Sequence, residues 1–158
     1  MTTDPKRRHL RLESLADLRS EVERIEQADV EGRLETTGQW TAGQILAHLA
    51  AWIEYGYEGY PMRPPPLLVR WFLRWKLPGY LQNGMAAGVR IPGVAGGTYG
   101  IDRMEVAGAA ERLQRAIGRL EAKEPCPYDS PAFGPMSFED RVRLNLRHAE
   151  LHLGFLRY

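Results

Sequence analysis

The stretch FEDRVRLNLRHAELHLGFL, Phe138–Leu156, decides the reading of this chain. The segment predicts a helix that starts after Ser137 and runs to the C-terminal residue. At about 100° per residue, Arg143, Arg147, Glu150 and Arg157 gather in one narrow sector. Almost everything else on the helix is apolar, so burial is expected on most sides, with Glu150 and its sector in solvent. His148 and His152 stand four residues apart on one face, about 160° round the helix from Glu150. Both imidazoles are therefore expected to point into the protein.

Three more segments repeat with the helical period. Leu12, Leu15, Leu18, Val22 and Ile25 predict a first helix from about Leu12 to Gln27. Thr41-Ala42-Gly43-Gln44 has the hydroxyl-to-glutamine spacing of a capping box and starts a second helix. Ile45, Leu49, Trp52 and Gly56 mark its buried face, and Pro61 stops it near Gly59. Asp102 with Glu105 gives a cap-like start to a third, whose stripe is Val106, Ala110, Leu113, Ile117 and Leu120. No segment alternates for long enough to predict a strand. Four long helices without a sheet predict an all-α bundle.

The 158 residues fit a single domain, 1–158. Lys and Arg number 21 against 20 Asp and Glu, a net charge of +1 that argues against nucleic acid as a partner. One cysteine excludes an internal disulfide and a thiolate metal cluster. No apolar h-region follows the N-terminal MTTDPKRRHL, and no apolar run is long enough to span a membrane, so a cytoplasmic protein is expected. His9 in the basic Lys6–His9 segment is expected in solvent, and Cys126 is given no catalytic role.

His48 lies one turn past Gln44, beside the apolar stripe of the second helix, and can meet His148 and His152 if the second and fourth helices face each other. Three imidazoles in a bundle core suit a divalent metal and leave a coordination position open, as catalytic sites do. The spacing equally allows ordinary core histidines held by hydrogen bonds, though few polar residues on that face are available as partners. Asn145, one turn before His148, is the obvious one, and is also a candidate substrate contact. Trp52 and Phe155, one turn from His48 and His152, either line an apolar pocket or pack as core.

WTAGQILAHLAAW (Trp40–Trp52) resembles the second-helix signature of the DinB-like, YfiT-like metal-binding superfamily, and FGPMSFEDRVRLNLRHAELHLGFL (Phe133–Leu156) resembles its last helix. The Phe-Gly-Pro start and the basic, proline-rich insert are most similar to a DinB-clan branch of unknown function. The resemblance implies an up-up-down-down four-helix bundle and frequent homodimers. It implies a divalent metal, often nickel or zinc, on His48, His148 and His152. Characterised relatives include transferases and isomerases that use a low-molecular-weight thiol, although no thiol-binding motif is visible here. The functional expectation is a metal-dependent enzyme, of thiol-dependent transferase or hydrolase type, acting on a small molecule. The alternative is a non-enzymatic dimeric binding or scaffold protein. No carboxylate on the ligand faces offers itself as a general base.

Residues 61–100 form an insert far longer than the roughly two to eight residues usual between bundle helices. Its length suits a crossover between parallel second and third helices. PPPLLVRWFLRWKLPGYL (Pro64–Leu81) predicts a short extra helix from Leu67 to Leu77. A cover or lid over the metal end is the favoured role, with a dimer contact and an interfacial membrane helix as alternatives. The loop GVAGGTYG after Pro92 lacks the Lys-Ser/Thr ending of a phosphate-binding loop and is read as a flexible segment whose Tyr99 reaches the pocket.

Overall fold

The computed structural model describes residues 7–158, so Lys6 of the basic N-terminal segment lies outside the described residues. Among the described residues there are five α-helices: α1 (Leu15–Val30), α2 (Ala42–Glu58), α3 (Leu67–Asn83), α4 (Val106–Glu121) and α5 (Phe138–Leu153). A two-stranded antiparallel ribbon joins β1 (Glu35–Thr36) to β2 (Leu156–Arg157), with Glu35 opposite Arg157 and Thr36 opposite Leu156. The expectation of no strand is corrected by this ribbon, whose two-residue strands are too short to leave a period in the sequence.

Caps set the starts of α1, α2 and α5. Thr41 Oγ1 accepts from the Gln44 N–H while Gln44 Oε1 accepts from the Thr41 N–H, the expected capping box of α2. Ser137 caps α5 through the Asp140 N–H. The first helix begins later than its stripe predicts, because Ser14 and Asp17 form a reciprocal box of their own. Leu12 stays in the core from outside the helix. The cap expected from Asp102 and Glu105 does not form. Glu105 is the N-cap residue without a side-chain bond, and Asp102 instead pairs with Arg112, which also binds Glu54.

The core joins α1, α2, α4 and α5 through Leu18, Val22, Ile25, Ile45, Leu46, Leu113, Ile117, Leu146 and Leu153. α2 meets the segment leading into α4 at Gly43, where a Cβ would overlap the carbonyl oxygen of Met104. Only glycine permits that backbone-to-side contact.

Two expectations for the last helix are overturned. It stops at Leu153, with Gly154 as its C-cap, and Leu156 turns back into the ribbon. Its charged sector is only half in solvent: Arg143 and Arg157 are exposed as expected, but Arg147 is 2% exposed and the Glu150 side chain 9% exposed. The segment before α1 lies across that face. Leu12 donates its N–H to Glu150 Oε1 at 2.6 Å and accepts from Arg147 through its carbonyl. Arg7 donates to Leu151 O at 2.7 Å, and the Arg8 N–H to Gly154 O at 2.8 Å. His9 is exposed, as expected.

The extra helix is not short. α3 spans 17 residues and runs through Pro78. Continuing past the proline places Leu81 one turn beyond Leu77 on the same face, and both are buried. α3 packs beside the N-terminal half of α5, where Arg74 donates to the carbonyls of Phe133 and Pro135. Among the described residues, no helix is long and apolar enough to cross a membrane.

Candidate metal centre

α2 and α5 pack against each other and bring His48 to the His148–His152 pair. One ligand nitrogen from each ring lies within 4.8 Å of the others. His48 is buried, and His148 and His152 are partly buried. The His48 Nδ1 lies 2.9 Å from the Tyr99 carbonyl oxygen. A carbonyl only accepts, so Nδ1 carries the proton and Nε2 keeps its lone pair. That Nε2 sits 3.2 Å from His148 Nε2. Two nitrogens bound tetrahedrally at about 2.0–2.1 Å to one ion would be about 3.3–3.4 Å apart, so the pair already stands close to ligand spacing. The donor set fits a divalent cation.

Burial holds all three imidazoles neutral. Loss of water pushes His48 down to about 4, partly opposed by the bond to Tyr99. His152 is pushed down to about 3 by burial, with the repulsion that a protonated His48 and Arg7 would exert adding to it. Burial, then the neighbouring His152 and His48, puts His148 well below the usual histidine range. Neutral imidazole is the form that binds metal.

The walls are aromatic. Trp52 lies edge-on to His48 and His148, with ring centroids 5.9 and 5.7 Å away, and its Nε1–H donates to the same Tyr99 carbonyl at 3.3 Å. Trp52 thus lies beside the imidazoles. Tyr99 also reaches them, but through its main chain rather than its phenol. Gly100, at φ +74°, presses this loop onto α2, where a Cβ would stand 2.7 Å from that of Ala51.

Two candidates have other work. Asn145 donates its amide to the Arg141 carbonyl at 2.9 Å, and no hydrogen bond ties it to the imidazoles. Phe155 packs beside Gly38 with the Arg7 guanidinium 4.3 Å above its ring. Trp40 is the residue sequence reasoning missed as part of the site. Its ring stacks on His152 at 5.3 Å and 8°, and meets His48 edge-on at 5.0 Å. The available signal was its place immediately before the Thr41 cap, where an apolar side chain folds back over the helix start.

The imidazoles take their contacts from α2, α5, Trp40 and Tyr99, while α3 lies along the other half of α5. Of the insert, it is therefore residues 99–100, rather than the helix, that meet the imidazoles.

No curated protein and no solved structure matches this chain. One family model, described as a protein of unknown function (DUF1569), matches residues 4–158. That match takes in both α2 and α5, and with them every histidine of the cluster, so the chain belongs to the DUF1569 family.

Proposed function

We propose that His48, His148 and His152 hold one divalent metal ion, zinc or nickel, at the centre of a metal-dependent enzyme acting on a small molecule. The observation that carries this is the convergence of three neutral ring nitrogens, with the His48 lone pair turned inward by the Tyr99 carbonyl. In this reading α1, α2, α4 and α5 form an up-up-down-down bundle of the DinB-like kind, within a cytoplasmic homodimer. A divalent ion bound there would lower the pKa of a coordinated water or thiol and so supply a nucleophile near neutral pH.

The chain's own residues do the rest. Tyr99 fixes the His48 tautomer. Trp40 holds the His152 ring plane by stacking. Trp52 and the adjoining Tyr55 and Tyr60, whose rings lie 5.8 and 6.3 Å from it, give an apolar, water-poor wall suited to an organic substrate. A thiol-dependent transfer or a hydrolysis fits this set, with the thiol or water supplied from solution.

Elemental analysis of untagged protein beside His48→Ala, His148→Ala and His152→Ala is the direct test. About one divalent ion per chain is expected, lost in each variant. A variant that keeps full occupancy, or a folded wild type that takes up neither zinc nor nickel, overturns the assignment. Transferase and hydrolase screens before and after chelation then test turnover. Stoichiometric metal without activity in either screen would favour the scaffold reading.

A further inference from the structure

The outer face of α3 is unusual. Leu67, Leu68, Trp71, Phe72 and Trp75 are 77, 83, 73, 49 and 64% exposed. At about 100° per residue these five occupy one arc of about 140°, with no polar residue among them before Gly79 and Gln82 near the helix end. The opposite face is anchored. Leu77 and Leu81 are buried, and Arg74 is held by the carbonyls of Phe133 and Pro135. The apolar arc is thus fixed outward by contacts on the other side of the helix. An exposed apolar patch of this extent marks an interaction site.

Charge selects the partner. Residues 59–101 contain Arg63, Arg70, Arg74, Lys76 and Arg90 and no Asp or Glu, although the whole chain is nearly neutral. Lys76 borders one edge of the arc, its ammonium 5.0 Å from the Trp75 ring, and Arg74 borders the other, while Arg70 turns inward toward Gly134. Pairing this helix with its counterpart in a second copy would set cations against cations, with no carboxylate in the segment to relieve them. An anionic lipid surface supplies both missing partners, an apolar layer for the arc and phosphates for its rim. Exposed tryptophans favour the boundary between headgroups and acyl chains.

We propose that α3 docks this protein on an anionic lipid bilayer, with Trp71, Phe72, Trp75 and Leu68 entering the interface and Arg63 and Lys76 meeting lipid phosphates. The inference stands apart from the metal centre, whose imidazoles take their contacts elsewhere.

Co-flotation of the full-length protein with vesicles tests it. Binding is expected to phosphatidylcholine–phosphatidylglycerol vesicles at low salt, but not to phosphatidylcholine alone, and is expected to weaken at high ionic strength. Trp71→Ser/Trp75→Ser should reduce partitioning by about a hundredfold, and Arg63→Gln/Lys76→Gln by about tenfold. An unchanged thermal melt would confirm that both variants fold. Absence of wild-type binding, equal binding to neutral vesicles, or variants that bind as wild type would each overturn the proposal. So would a wild-type dimer, seen by sedimentation, that the Trp71→Ser/Trp75→Ser change dissolves, since the face would then belong to a second copy.

Discussion

The Tyr99 carbonyl does more for the histidine cluster than any side chain outside it. It sets the His48 tautomer and binds the Trp52 indole, and it is brought there because Gly100 fits against Ala51. Gly100→Ala should weaken metal binding by about tenfold to a hundredfold while leaving helix content unchanged, as changes behind metal ligands commonly do. Competition with a chromophoric chelator, read beside circular dichroism, checks this. A second prediction concerns protons in the metal-free protein. His48 and His152 are depressed to about 4 and about 3, below an unfolded value near 6.5. The unfolded chain therefore binds more protons, so stability is complete above about pH 6.5 and falls as pH drops toward those lower values. Urea unfolding of apo-protein between about pH 7 and pH 4 should show the decline. A midpoint that stays level would contradict burial of neutral rings. At this scale the histidine pair was readable because i,i+4 spacing is fixed by helix geometry. Tyr99 was named as reaching the pocket, but its part through the main chain was not legible, because a carbonyl carries no residue signature. Glu150 was misplaced because a helical projection cannot anticipate a coil segment lying over its polar face.

Helix starts followed local chemistry wherever a hydroxyl and its partner were correctly paired. Thr41 and Gln44 were plain, whereas the Ser14–Asp17 box was overlooked in favour of the earlier leucines. Thr41→Ala should cost about 1 kcal/mol of stability, measurable as a lower urea midpoint. Gly43→Ala should cost more, about 3 kcal/mol, because its Cβ meets backbone on α4's approach rather than a movable side chain. Equal losses from the two substitutions would argue that the α2–α4 approach is looser than described. The length of α3 was misread for a physical reason. Pro78-Gly79 reads as a stop, yet the carbonyl freed by a proline on an exposed helix can bond water, and Leu81 rewards continuation by reaching the surface that buries Leu77.

The whole molecule is bound together across its sequence by the segment from Arg7 to Leu12. Arg8 pairs with Glu21 at 2.6 Å, Glu21 also accepts from the Tyr158 hydroxyl at 2.8 Å, and Arg147 is enclosed with Glu150, 2.9 Å away. Removing one partner of such an enclosed pair leaves a charge without compensation. Glu150→Ala should lower unfolding free energy by about 3 kcal/mol, and a denaturant midpoint unchanged from wild type would show the pair to be dispensable. The helical class was legible in the apolar stripes, since Leu113, Ile117 and Leu120 and, on α2, Ile45 and Leu49 are core as expected. The ribbon and the N-terminal segment were not, because both depend on contacts between residues more than 100 positions apart.

The same long separation governs when the histidine cluster can exist at all. His48 and His148 stand 100 residues apart. At about 5–20 residues per second, a ribosome needs about 5–20 s to carry synthesis from one to the other. During that interval α2 can form but its imidazole has no companions, and any ion it captures must be held by one ligand. Under the proposed metal-binding function, loading is therefore a post-assembly event, timed by the arrival of α5, and cells growing on scarce metal would accumulate fully synthesised but unloaded chains rather than arrested ones.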